Sequence, residues 1–174
     1  MNPIRPCRAD EHDEILRIVN AAAEAYRGVI PADRWHEPYM SAQELRDEVA
    51  AGVEFYGIEV EGELLGVMGI QPVRDVDLIR HAYVSPGRQR SGIGAALLAY
   101  LRERAQRPVL VGTWADAQWA IAFYQRNGFA MVPRTRAIAL LRSYWRIPQR
   151  QIETSVVLEL AGEARDPTEN AANI

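Results

Sequence analysis

The chain contains no lysine; all twenty of its basic residues are arginine. Its side chains therefore offer no primary amine, which excludes a lysine Schiff base and a lysine-dependent phosphate loop. It also excludes acylation of the chain's own lysines. Cysteine is almost as scarce. Cys7 stands alone, so no internal disulfide is available. The three histidines, His12, His36 and His81, lack metal-ligand spacing, and no metal is expected. No apolar run approaches the ~20 residues that a membrane span needs. The opening "MNPIRPCRADEHDE" turns acidic where a signal peptide would carry an apolar core. A net charge of −3 leaves no broad basic field for nucleic acid. These deficits lead us to expect a cytoplasmic protein that binds neither membrane nor nucleic acid.

What is present has the make-up of a globular domain. The 174 residues, 48% of them hydrophobic, suffice for one core and are few for two. Asp10 is a candidate cap for a helix from Glu11 to about Arg27, with Ile15, Ile18, Val19, Ala22 and Tyr26 at helical spacing. Ser41-Ala-Gln-Glu44 reads as a capping box, and Gly52 closes that second helix. Strands are expected over Val53 to Val60 and Glu63 to Gln71, joined by the tight turn Glu61-Gly62, and over Leu78 to Val84. A helix from Ile93 to Arg104 and the strand "VLVGTW" follow. Next comes a helix with Asp116 as N-cap and Asn127-Gly128 at its C-terminal end, then a short strand near Ala130 to Val132. "AIALLRSYWRI" reads as helix or turn, and "TSVVLEL" as the last strand. This order predicts one α/β (α+β) domain over 1–160, a mixed, mostly antiparallel twisted sheet with helices on both faces. A polar tail, 161–174, is set apart from it.

The stretch "SPGRQRSGIGAALLAYL" joins the Leu78 to Val84 strand to an apolar helix through two arginines and a G-x-G. Such a junction suits a phosphate, because glycines let the backbone approach closely and a helix N-terminus favours negative charge. Three phosphate loops compete. Gly87 and Gly92 have the spacing of a Walker loop, but Ile93 and Gly94 stand where Lys and Ser/Thr belong. A dinucleotide fingerprint fails at its third glycine, where Leu97 stands. Gln89-Arg90-Ser91-Gly92-Ile93-Gly94 instead forms a Q/R-x-x-G-x-G/A loop, to which Arg88 and Arg90 add charge-assisted donors.

Here the sequence resembles the GNAT superfamily of acyl-CoA-dependent N-acyltransferases. "HAYVSPGRQRSGIGAALLAYL" is similar to the family's main motif, in which a strand ending in Val-x-Pro runs into this loop and helix. "AIAFYQRNGF" is similar to its second motif, a helical tyrosine before a Gly-Phe turn. The likeness covers roughly Asn2 to Leu160, the first sixty residues in pattern only. One departure stands out: Ala117 occupies the place where many members have an asparagine, with Asp116 beside it.

The resemblance implies a GNAT-like fold and transfer of an acetyl group from acetyl-CoA to an amine acceptor, small molecule or peptide, by direct attack in a ternary complex. It implies that the backbone around Ala82, Tyr83 and Val84 pairs with the pantetheine arm. The amides of Gln89, Arg90, Ser91, Gly92, Ile93, Gly94 and Ala95 would hold the pyrophosphate, with Phe123 beside the cofactor. Tyr124 would protonate or stabilise the leaving thiolate. The alternative for Tyr124 is a core aromatic next to Phe123. His81 is a candidate general base or else a plain partly buried histidine, and strict alternation sets it on the face opposite Val84 unless a bulge rephases the strand. Arg80 and Tyr83 are candidates for lining the cleft. Trp35, Tyr39, Glu37 and Glu44 lie where an aromatic and acidic acceptor pocket would form, or else on an ordinary solvated helix face. "LLRSYWRI" either closes over the acceptor or forms a contact in a homodimer. The competing functional reading is a non-catalytic acyl-CoA sensor on the same fold.

Overall fold

The computed structural model describes residues 4–162; the expected tail lies, from residue 163 on, outside the described residues. Seven strands form one sheet in the order β1-β2-β3-β4-β5-β7-β6. They are β1 (Ile4–Pro6), β2 (Glu54–Val60), β3 (Glu63–Val73), β4 (Val76–Val84), β5 (Val109–Trp114), β6 (Phe129–Met131) and β7 (Ser155–Leu160). The helices are α1 (His12–Ala23), α2 (Ala42–Ala50), α3 (Ile93–Arg104), α4 (Gln118–Arg126), α5 (Arg134–Tyr144) and α6 (Gln149–Glu153). All strand pairs are antiparallel except β4 with β5.

Alternation along the strands divides the core into layers. Met68, Ile70, Ile79, Val109, Val111 and Leu158 face α3 and α4, where Leu97, Leu98, Leu101 and Ile121 cover them. Phe55 and Val67 face α1 and α2, meeting Ile15, Ile18, Val19 and Leu45. Leu78, Leu110 and Val157 meet Ala137, Leu141 and Ile152 of α5 and α6. Since Leu78 pairs with Gln71, two strand positions beyond Gly69 and four beyond Val67, α5 and α6 share the face of α1 and α2.

The predicted elements lie close to their observed bounds, with instructive exceptions at the caps. Asp10 does not cap α1. A 3₁₀ turn, Ala9–Glu11, precedes the helix, and the Glu11 carboxylate accepts the Arg8 N–H at 2.6 Å. Asp116 does not cap α4 either; Ala117, fully buried, holds the N-cap position. The Ser41–Glu44 capping box is present. Glu61 and Gly62 turn with φ of 52° and 85°, the geometry of a two-residue I′ hairpin. Strand β1, which carries only three residues, had no legible sequence pattern.

The feature that makes the site is the β4–β5 junction. Its parallel ladder has three registered pairs, Asp77–Val109, Leu78–Leu110 and Ile79–Val111. Beyond Ile79 the strands diverge: β4 continues along β3 as far as Val84, while β5 continues along β7 to Trp114. The closed end is fastened by Asp77, 2% exposed, whose carboxylate accepts the backbone N–H groups of Gln106 and Arg107 at 2.9 and 3.0 Å. Replacing Asp77 by Ala leaves these amides without that acceptor, so Asp77→Ala should destabilise the domain by on the order of 3 kcal/mol. Urea unfolding checks this, and a midpoint equal to that of the wild type would show that the fastening contributes nothing.

Candidate active site

The gap between the diverging strands opens into a cleft of about 810 Å³. One edge is β4 from Arg80 to Val84, the other β5 from Val111 to Trp114, and the glycine loop and α4 close one end. Because the ladder stops at Ile79, the facing backbone groups of these edges lie free of β4–β5 pairing. An extended amide-bearing arm fits there as a further strand would.

The loop is shaped by left-handed residues. Gly87, Arg90 and Gly92 have φ of 84°, 61° and 86°. Gly92 is the N-cap of α3, and the first bond within the helix runs from Ala96 N–H to Gly92 C=O at 2.9 Å. The N–H groups of Ile93, Gly94 and Ala95 therefore have no intrahelical acceptor, and they cluster at the positive end of the helix dipole. Gly94 lies against the Phe123 ring, 3.4 Å from where a Cβ would be. Gln89, Arg90, Gly92, Gly94 and Ala95 line the cleft with Arg126 from α4. The side chains of Ser91 and Ile93 turn elsewhere: Ser91 Oγ donates to the Arg88 carbonyl, and Ile93 packs over Gly66 of β3. Guanidinium groups, an amide-lined helix start and a narrow slot beside Phe123 fit a pyrophosphate with a slender arm attached.

Tyr124 and Phe123 both line this cleft from α4. Tyr124 is 6% exposed and packs edge-on against Phe123 and Phe129. Burial, with the Tyr26 phenol adding to it, holds its hydroxyl well above the ordinary phenol range, so it keeps its proton at neutral pH.

His81 is turned by a bulge. The β3–β4 register jumps from Val67–Tyr83 to Gly69–Arg80, which leaves His81 and Ala82 opposite Met68 alone. His81 takes up the extra residue with φ of 51°. Arg80 and His81 consequently reach the same side, toward α2, where both meet Glu48 Oε2, at 2.7 Å from Arg80 Nη2 and 2.9 Å from His81 Nε2. The His81 ring stacks on Phe55, with centroids 5.6 Å apart. Burial lowers the His81 pKa, partly opposed by the Glu48 carboxylate, and the ring is neutral at pH 7. Burial would raise the Glu48 pKa, but the hydrogen bond and charge of His81, with the charge of Arg80, outweigh it and hold the carboxyl below its ordinary value. Nothing in the sequence singled out Glu48, which is spaced like any other charge on an amphipathic helix.

On the face of α1 and α2, the cleft is walled by Tyr26, Tyr39 and Tyr83, and Trp119 reaches Tyr26 from α4. Tyr26 stacks on Tyr39 at 6.3 Å and meets Trp119 at 5.2 Å, and Tyr83 stands edge-on to both tyrosines. Burial pushes the Tyr26 phenol up to about 12 and likewise raises Tyr83 well above the ordinary phenol value. Across the gap, Trp145, Ile147 and Gln151 of the α5–α6 segment complete the wall, and Trp145 lies against Gly112, 3.3 Å from where a Cβ would be. Of the two alternatives for Glu37 and Glu44, the solvated surface is the one found. Glu37 pairs with Arg27 at 2.6 Å, Glu44 caps α2, and no carboxylate lines the cleft among the described residues. Trp35 packs behind Tyr39 rather than lining the cleft. Among those residues, too, no cluster of three or more His, Cys, Asp or Glu is placed to hold a metal, and no helix is long and apolar enough to cross a membrane.

Comparison with known proteins agrees with this geometry. Residues 15–129 match the acetyltransferase (GNAT) family. The peptidyl-lysine N-acetyltransferase YiaC of Escherichia coli is 30% identical over 124 residues, covering 63% of this chain and 82% of that protein. PaiA N-acetyltransferase from Thermoplasma acidophilum, solved in complex with coenzyme A, superposes with a TM-score of 0.69 at 15% identity, over 91% of this chain and 98% of its own. The ribosomal-protein-S18-alanine N-acetyltransferase of Escherichia coli gives 0.63 at 19% identity, over 94% and 98%. At those identities the two structures speak for the fold alone. The chain belongs to the GNAT acetyltransferase family and is an acetyl-CoA-dependent N-acetyltransferase.

The loop is tested through stability. Acetyl-CoA at about a hundred times its Kd should stabilise the native state by ~2.7 kcal/mol and raise the thermal midpoint accordingly. Gly92→Glu places a carboxylate among the amides and should abolish that rise, while NAD and ATP give none in either protein. A rise retained in Gly92→Glu would place the pyrophosphate elsewhere.

Proposed function

We propose that the chain transfers the acetyl group by direct attack in a ternary complex, with His81 as general base and Tyr124 as general acid. The observation that carries this reading is that both side chains line the one cleft into which the glycine loop opens. Acetyl-CoA supplies the thioester. The loop amides and Arg90 bind its pyrophosphate, and the free edge of β4 at Ala82, Tyr83 and Val84 aligns its arm. The acceptor nitrogen attacks the carbonyl carbon, and the proton it gives up passes to His81. As the C–S bond breaks, the Tyr124 hydroxyl gives its proton to the departing sulfur. Proton exchange with solvent then restores both side chains, leaving an amide and the CoA thiol. Cys7 takes no part, since burial pushes its thiol up to about 12.

The acceptor class we assign is the side chain of a peptide lysine. The uncharged aromatic walls suit its methylenes, and their π faces attract the ammonium before it loses its proton. The 30% identical relative is named for the same acceptor. The reading extends to a cytoplasmic location, supported by the single cysteine, and to a homodimer formed without nucleic acid or membrane.

Turnover with acetyl-CoA and a lysine-containing peptide, followed by thiol release, tests these roles. Tyr124→Phe and His81→Gln should each lower kcat by roughly 10²- to 10⁴-fold with CoA affinity unchanged. His81 must be neutral to accept a proton, and its pKa is lowered from 6.5. The loss of kcat on acidification should therefore occur below pH 6.5 and be absent in His81→Gln. Near-normal turnover in either variant removes that residue from the mechanism.

A further inference from the structure

Beneath His81 lies a polar chain that the reaction as described does not use. The Ala51 carbonyl accepts from Gln71 Nε2 at 2.9 Å, Gln71 Oε1 accepts from Arg80 Nη1 at 2.6 Å, and Arg80 and His81 both reach Glu48. We infer that Glu48 is a positioning residue that holds His81 in its Nε2–H tautomer, so that Nδ1 is the atom which takes the acceptor's proton. This rests on the reading of His81 as the base.

The argument starts from hydrogen-bond chemistry. An ionised carboxylate only accepts, so a ring nitrogen 2.9 Å from Glu48 Oε2 must carry the hydrogen. That nitrogen is Nε2, and neutral imidazole then has its lone pair on Nδ1. The carboxylate is itself fixed, because Arg80 binds the same oxygen and is anchored by Gln71 on β3. The ring cannot swing away, since Phe55 stacks on it. The bulge is what makes the arrangement possible. Without the extra residue, His81 would point to the opposite face from Arg80 and could not share its carboxylate. His81 adopts a backbone conformation that residues with a Cβ rarely hold, and a plain Arg80–Glu48 ion pair would require neither the bulge nor a histidine.

The charge logic follows the same geometry. Of the elements packed on His81, α2 presents Glu48, β4 presents Arg80, β2 presents Phe55, and α1 turns the apolar Ile18, Val19 and Ala22 to the sheet. When the acceptor's N–H bond breaks, its proton goes to Nδ1, Nε2 keeps its own, and the imidazolium formed sits against the Glu48 carboxylate. Glu48 is never protonated. Its part is to make the neutral ring present the correct nitrogen and then to stabilise the charged one.

The test reads His81 directly. The full chain, labelled with ¹⁵N-histidine and saturated with CoA, has only three histidines, and His81→Gln identifies the signals of the third by their loss. Two-bond ring correlations across a pH titration should show the Nε2–H tautomer at neutral pH. Glu48→Gln should shift the His81 midpoint to lower pH and bring up the Nδ1–H form, whereas Glu48→Asp should keep Nε2–H. A wild-type ring in the Nδ1–H form overturns the inference, as does a Glu48→Gln spectrum unchanged in tautomer and midpoint. If Glu48→Gln fails to fold, the wild-type tautomer alone decides. Full turnover in His81→Gln would instead overturn the base assignment, whatever the tautomer.

Discussion

Everything at the active site depends on a parallel ladder that is only three residue pairs long. Two strands fastened at one end by Asp77 and drawn apart at the other by different neighbours must leave a wedge between them. The antiparallel partners provide the pull: β3 carries β4 one way, and β7 carries β5 the other. A continuous sheet would bury these backbone edges in mutual hydrogen bonds and leave nothing for a ligand to pair with. The wedge turns a would-be sheet interior into a slot with unpaired polar edges and apolar walls. α3 begins beside the mouth of that slot, so its free amides stand where the proposed reading puts the charged end of the donor.

The second constraint is the bulge at His81. One extra residue in β4 rotates the side-chain sequence beyond it, and the two halves of the strand thereby serve different masters. Up to Ile79 the strand is bound to core packing; from Arg80 on it borders the cleft. The strain of a left-handed histidine is local, and the Arg80–Glu48–Gln71 cluster around it is built from several mutually supporting hydrogen bonds. The buried Tyr124, the partly buried Tyr26 and Tyr83 and the His81 imidazole give the cleft groups that hold or accept protons without fixed charge. An amine can shed its proton in such a place more readily than beside a carboxylate.

Much of this was legible in the sequence because it is local. The glycine loop, the helix it opens and the Tyr124 helix are each written in a short run of residues with a distinctive pattern. The I′ turn at Glu61-Gly62 and the capping box at Ser41 were readable for the same reason. What escaped depended on partners distant in the chain. Glu48 acquires its role from Arg80 and His81, more than thirty residues away, through a register jump that no periodicity encodes. Glu37 and Glu44, read as possible pocket acids, are taken by Arg27 and by the α2 cap. Asp10 and Asp116 looked like caps by residue type, but Glu11 bonds back to Arg8 and a buried Ala117 packs where a polar cap would be desolvated.

The α5–α6 segment contributes Trp145, Ile147 and Gln151 to the cleft wall yet no residue to the glycine loop, and it meets the β4–β5 ladder only through the apolar packing of Ala137, Leu141 and Ile152 against Leu78 and Leu110. If the proposed sites hold, the two substrates are thus governed by separate stretches of the chain. On the proposed reading, changes between β6 and β7 would alter which amine is admitted while the donor half stays intact, so new acceptors would be open to selection without loss of the chemistry. A lineage built on this scaffold can diversify its targets by rewriting one connector.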